Sequence, residues 1–323
     1  MSDRKIIIEK LKNEQSFYLI SHMLPDGDSI GSLLAMGEGL ASLGKMVKMF
    51  TPGNIPRKYK FLSGADLVSH ELLINDPEVT VVVLDSSDLD RLGLFKEAVI
   101  NSKQIINIDH HVTNQRFGNL NLVDATAAAT GEIVHQILAE LQVNLTESIA
   151  ESLYVAISND TGSFKFDNTT PNTHRVIATL LECGLSPGTL SQIIFDERPL
   201  SFYILLKEAL SSLEMYEERS VSVMTLSKDI RERSGASTDD LDGIVNYARN
   251  IEGIELGILF YVEGNNEVKV GFRSRSLDVS TLAGKFNGGG HIRAAGCRMK
   301  GDYHTVKEKV MGEALKMLKE LPA

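Results

Sequence analysis

The chain has 323 residues, 43% of them hydrophobic and 24% charged, with a net charge of −10. This balance excludes a disordered or fibrous chain and leaves room for two globular cores. The negative charge excludes a protein that coats long nucleic acid, no apolar run is long enough to span a membrane, and two cysteines, Cys183 and Cys297, offer neither a disulfide framework nor a thiolate zinc site.

The opening Met1-Ser2-Asp3-Arg4-Lys5 has no apolar signal core, so a cytoplasmic location is expected. Phe17-Tyr18-Leu19-Ile20 predicts a first buried strand. Small and apolar residues at helical spacing predict a helix over 29–43, stopped by Gly44. Residues 47–50, 79–84 and 104–108 predict further strands, continuously apolar as parallel strands covered on both faces are. Helices are expected over 126–141, 147–156 and 173–182. The alternation predicts an α/β fold with a doubly wound parallel sheet. Beyond a break at 183–188 the chain reads as mostly helical over 191–214, interrupted at Pro199. A second pattern follows: a strand at 221–226, a helix over 239–249, and a hairpin of 254–262 with 267–273 across Gly264-Asn265-Asn266. A glycine run at 288–290, a strand at 297–299 and a helix over 305–318 complete it. The expected division is a domain at 1–188, a helical linker at 189–217 and a smaller α/β substrate-binding domain at 218–323.

Chemistry-bearing residues collect where apolar runs stop. His22-Met23-Leu24-Pro25-Asp26-Gly27-Asp28 follows the first strand, and Asp85 follows Val81-Val82-Val83-Leu84. Asp109-His110-His111 follows Ile105-Ile106-Asn107-Ile108, and Asp160 follows Ala156-Ile157-Ser158-Asn159. In open α/β sheets the carboxyl edge of the strands is where ligands bind. Singly, each has an ordinary reading: Asp28 as a helix cap, Asp85 and Asp160 as turn residues. Four segments bringing acid or imidazole to one edge do not. His22, His110, Asp26, Asp28, Asp85 and Asp160 make a bed for two hard divalent cations, and nitrogen and oxygen donors without sulfur suit manganese, magnesium or iron. Residues 39–46 nearly spell a P-loop, but Met46 replaces the hydroxyl residue that would hold magnesium. His70, His135, His174 and His304 stand outside these segments, His174 nearest to them.

With Asp109-His110-His111, the glycine-rich stretch from Gly288 to Gly296, Asp109-His110-His111-Val112-Thr113-Asn114 and Phe166-Asp167-Asn168-Thr169-Thr170-Pro171 in view, the chain resembles the DHH phosphoesterase superfamily. Within it, the chain resembles the bacterial nanoRNase/pAp-phosphatase group over nearly its whole length. The resemblance implies two divalent cations, manganese foremost. It also implies hydrolysis of very short oligoribonucleotides to mononucleotides and removal of a phosphate from 3′-phosphoadenosine 5′-phosphate (pAp). Carried over, it gives one metal His22, Asp26 and Asp85 and the other Asp28, Asp85, His110 and Asp160, with Asp85 bridging. The resemblance also implies that His111 faces the substrate phosphate and that Asp109 orients an imidazole. In the second domain, the amides of Gly288, Gly289 and Gly290 approach a phosphate, aided by a following helix N-terminus. His291, Arg273 and Arg275 supply charge and hydrogen bonds. The substrates it implies are pAp, dinucleotides or short oligoribonucleotides, with no long nucleic acid and no membrane expected, and it leaves room for a homodimer. Relatives of this layout also cleave cyclic or linear dinucleotides, and a pyrophosphatase or a silent nucleotide-binding regulator are the more distant readings.

Overall fold

Alternation of apolar side chains along each strand decides what the first sheet packs against. The structure is a computed structural model that describes residues 3–72, 74, 79–217, 220–237, 239–241, 243–264 and 266–320. It divides into two units, residues 1–197 and 198–323. In the first, β1 (Ser16–Ile20), β2 (Met46–Phe50), β3 (Thr80–Leu84), β4 (Gln104–Asp109) and β5 (Leu120–Val123) form an all-parallel sheet in the order β2-β1-β3-β4-β5. Its helices are α1 (Asp3–Asn13), α2 (Gly27–Ser42), α3 (Lys96–Ile100), α4 (Thr130–Glu140), α5 (Glu147–Asp160), α6 (Pro171–Leu181) and α7 (Pro187–Ser191).

Phe17, Leu19, Val82, Leu84, Ile106 and Ile108 face a core shared with α1, α2, α4, α5 and α6. Their neighbours Tyr18, Ile20, Val81, Val83 and Ile105 face the opposite side, against Leu92, Phe95 and Val99. Both faces are therefore covered, and the doubly wound α/β fold follows. Strand order reverses between β1 and β3, the switch point at which such sheets open a crevice. The elements α1 and β5 were not expected from the sequence.

The second unit holds α8 (Leu200–Ser211), β6 (Glu214–Tyr216), β7 (Val221–Ser227), α9 (Lys228–Ser234), α10 (Ile244–Arg249), β8 (Leu256–Gly264), β9 (Glu267–Ser274), α11 (Val279–Gly284), β10 (Gly289–His291), β11 (Ala294–Lys300) and α12 (Tyr303–Lys319). Its mixed sheet runs β10-β11-β9-β8-β7-β6, with β7 and β8 parallel. Ile258, Phe260, Val270 and Phe272 pack with α11 and α12 on one face, and Leu259 and Tyr261 with α8, α9 and α10 on the other. The helix expected over 239–249 is broken. A short turn at Asp239–Leu241 precedes α10, and Gly243 between them takes a left-handed φ of 85°. The segment expected as a linker is shared between the cores. Leu190 and Ile194 belong to the first, and Phe202, Leu205 and Leu206 to the second. No helix among the described residues is long and apolar enough to cross a membrane.

Candidate metal centre

His22 and Asp85 leave β1 and β3 side by side at the switch point. Ser21 N–H still bonds Phe50 O (3.0 Å) and Asp85 N–H bonds Ile108 O (3.0 Å), so sheet pairing runs up to the residue before His22 and includes Asp85 itself. Asp85 is 2% exposed and adopts a left-handed φ of 58°. That conformation costs a side-chain-bearing residue about 1–2 kcal/mol, held here by the surrounding sheet. Asp109 ends β4 and is fully buried, and His110 and His111 follow it.

Three helix ends supply the rest. Asp26 caps α2, its Oδ1 accepting from Ser29 N–H (3.0 Å). Asp28, which the ordinary reading made the cap, lies inside the first turn and is fully buried. The amides of Thr130 (2.6 Å) and Gly131 (2.9 Å) at the start of α4 donate to its two oxygens, and Ser32 Oγ adds a third bond (3.0 Å). Asp160 is the last residue of α5, so it reaches the site from a helix end rather than from a strand edge. Close helix approach makes this convergence possible. A Cβ on Gly31 of α2 would lie 2.2 Å from Ser152 O of α5, and one on Gly131 would lie 2.6 Å from Ala156 Cβ.

These groups form clusters whose donor atoms lie within 4.8 Å of one another: His22, Asp26 and Asp85, then Asp28, His110 and Asp160. Asp85 links them, with Oδ2 3.5 Å from His22 Nε2 and Oδ1 3.7 Å from His110 Nε2. Asp85, His110 and His111 make a third such group. There, however, His111 Nδ1 is held 2.7 Å from Asp109 Oδ1. A carboxylate only accepts, so Nδ1 carries a proton and its lone pair is spent. The ring is thereby fixed in orientation.

The electrostatics are those of an overcrowded acid cluster. Burial first, then the charges of Asp85 and Asp160, push the Asp26 carboxyl up to about 6. The same causes push Asp28 well above the usual carboxylate range. Burial would raise Asp85 too, but the imidazoles of His22, His111 and His110 outweigh it and hold Asp85 low. Burial opposes a charge on His110, yet Asp160, Asp28 and Asp85 push it up to about 11. Buried polar atoms are left over: neither ring nitrogen of His22 makes a hydrogen bond, and His110 Nε2, though 3.1 Å from Asp160 Oδ2, is misaligned for one. Orphaned imidazole nitrogens facing carboxylates pressed together are what divalent cations satisfy, so the donor set fits them.

Several contributors escaped sequence reasoning. Thr130 Oγ1 also donates to Asp85 Oδ1 (3.0 Å), a role that a Thr-Gly pair opening a helix only hints at. Asn114 Nδ2 donates to Asp109 Oδ2 (2.5 Å) and to Asn107 Oδ1 (2.8 Å), leaving Asp109 Oδ1 to His111. Arg91 reaches His111 with no sequence signal at all. His174 lies outside the clusters, exposed against Phe164.

In the second unit one expectation is corrected. The glycine run is followed by β11, not by a helix, because Gly289–His291 pairs antiparallel with 294–296. Gly288 and Gly290 serve that hairpin, since a Cβ on either would lie 2.3 Å from Gly296 O or 2.5 Å from Ala294 O. A Cβ on Gly289 would meet nothing within 4 Å. Arg273 of β9 is paired with Ala294, which is paired with His291, so the three occupy one row across the sheet. The His291 side chain lies outside the described residues. Arg273 Nη1 donates to Phe272 O (2.9 Å), and Arg275, just past β9, donates to Ile251 O (3.2 Å).

Comparison with known proteins places this arrangement. The profile of the DHH family, N-terminal domain, matches residues 16–157, and that of the DHHA1 domain matches residues 218–322. The chain is 35% identical to a bifunctional oligoribonuclease and PAP phosphatase NrnA of Thermus thermophilus, over 95% of this chain and 92% of that one. It is 27% identical to the protein of the same name from Bacillus subtilis, over 90% and 91%. The crystal structure of an exopolyphosphatase-related protein from Bacteroides fragilis shares the fold, with a TM-score of 0.91 over 98% of both chains at 24% identity. The chain thus belongs to the DHH family of phosphoesterases, its second unit carrying the DHHA1 domain.

Proposed function

We propose that this chain is a metal-dependent hydrolase that cleaves very short oligoribonucleotides to mononucleotides and removes a phosphate from pAp. The observation that carries the reading is the pair of donor clusters joined through Asp85. The names of the two NrnA relatives, matched over nearly the whole chain, support the substrate class. His22, Asp26 and Asp85 would hold one cation, and Asp28, Asp85, His110 and Asp160 the other, with manganese the preferred ion. Bound there, the cations supply Lewis-acid activation of water and neutralise phosphate charge. The protein's part is to fix the donors. Thr130, Gly131 and Ser32 hold Asp28 still, and Thr130 holds Asp85. Asn114 steadies Asp109, which orients His111 toward the phosphate. The free thiols of Cys183 and Cys297 accord with the cytoplasm, where we place the reaction.

The test is a manganese-dependent assay on pAp, dinucleotides, longer oligonucleotides, cyclic dinucleotides and pyrophosphate. Fast turnover of pAp and dinucleotides with little of the others is expected. Preference for cyclic dinucleotides or pyrophosphate would replace the substrate assignment.

The proposal also gives the second unit's row a substrate-binding part. Arg273→Ala should weaken pAp binding roughly ten- to hundredfold, the loss of one charge-assisted contact. Gly289→Ala should raise KM for pAp without lowering the melting temperature, because its Cβ meets no protein atom. A small artificial phosphodiester should be cleaved by both variants at near the parent rate. Equal losses on both kinds of substrate would remove the recognition role.

A further inference from the structure

A guanidinium stands beside the centre with no assigned task. Arg91 is fixed through its backbone: its N–H donates to Asp88 Oδ1 (3.1 Å), and its carbonyl accepts from Met23 N–H (2.8 Å). The loops after β1 and β3 thus meet at this residue. Its half-buried side chain places Nη1 3.5 Å from His111 Nε2, the outer limit of a hydrogen bond. The acids flanking it in sequence are engaged elsewhere. Asp90 pairs with Lys96 (2.6 Å), and Asp88 takes Ser87 Oγ (2.9 Å) besides the Arg91 amide. Among the described residues, no carboxylate forms an ion pair with Arg91.

His111 presents Nε2 to the same point because Asp109 holds Nδ1. A loosely met guanidinium and an anchored imidazole, one residue past a cation-binding imidazole, form a seat for a tetrahedral anion. We infer that Arg91 binds a non-bridging oxygen of the substrate phosphate, sharing it with His111. Its planar fork suits phosphate, which an ammonium matches less well. The inference rests on the phosphoesterase reading above and adds a residue that touches the reacting group.

The test measures inorganic phosphate binding to the magnesium-loaded full chain by calorimetry, beside turnover of pAp. Because backbone bonds hold residue 91, Arg91→Ala should keep the parent melting temperature. Phosphate affinity should fall roughly ten- to hundredfold, Arg91→Lys should lose less, and added guanidinium should restore part of the loss in Arg91→Ala. Affinity within twofold of the parent, or a loss that guanidinium leaves untouched, overturns the seat. The two readings separate cleanly. A parent chain that binds phosphate through Arg91 but cleaves neither pAp nor dinucleotides keeps the seat and loses the enzyme. A parent that cleaves both, with Arg91→Ala equally fast, keeps the enzyme and loses the seat.

Discussion

Asp85→Asn is expected to lower turnover of every substrate by roughly three orders of magnitude, well beyond the ten- to hundredfold cost of losing an outer-shell partner. Asp85 belongs to the cluster of His22 and Asp26 and lies 3.7 Å from His110 of the other, so under the proposed ligand set one substitution removes a charged donor from both. The fold should survive, for two reasons. Asparagine tolerates the left-handed backbone that residue 85 adopts at φ 58°. Asparagine is also nearly isosteric with aspartate, so the buried site around residue 85 keeps its packing. Metal content should fall while circular dichroism stays that of the parent. Turnover above about a tenth of the parent rate in manganese would deny Asp85 the bridging role.

The parts of this site legible in the sequence are those where burial and chemistry meet at one residue. Asp85, Asp109, His110 and His22 each end an apolar run, and a charge at such a point signals an edge. Asp160 was legible as chemistry but not as geometry, because Ala156-Ile157-Ser158-Asn159 suits a buried helix as well as a strand. The Asp28 clamp was invisible, since main-chain amides of Thr130 and Gly131 make it and any residue but proline carries an amide. Arg91 sits in Asp88-Leu89-Asp90-Arg91, which reads as a solvated charged turn until the fold sets it against His111. The same holds for elements. Gly289–His291 has no strand propensity and is a strand only because β11 pairs with it. The helix α1 hides Ile7, Ile8 and Leu11, all buried, among the charges of the N-terminus.

Removal of divalent cations should abolish activity and destabilise the first unit selectively. The destabilisation follows from placing Asp26 and Asp28 in a buried cluster, where burial first and then the charges of Asp85 and Asp160 push their carboxyls up. Cations that bind only the folded cluster stabilise it by mass action, about 2.7 kcal/mol at a hundredfold excess over Kd for one site. Chelation should therefore lower the melting temperature of the first unit by several degrees and speed amide exchange at the ends of β1, β3 and β4. The second unit, with separate apolar cores and none of these ligands, should exchange as before. Manganese should restore both activity and stability, since imidazole and carboxylate donors without thiolate suit it. Metal analysis should then find two ions per chain. A single tightly held zinc, or full turnover after exhaustive chelation, would overturn the dinuclear centre. Loss of activity with no change in melting temperature would instead mean that the acid cluster tolerates its own charge and that the cations serve the chemistry alone.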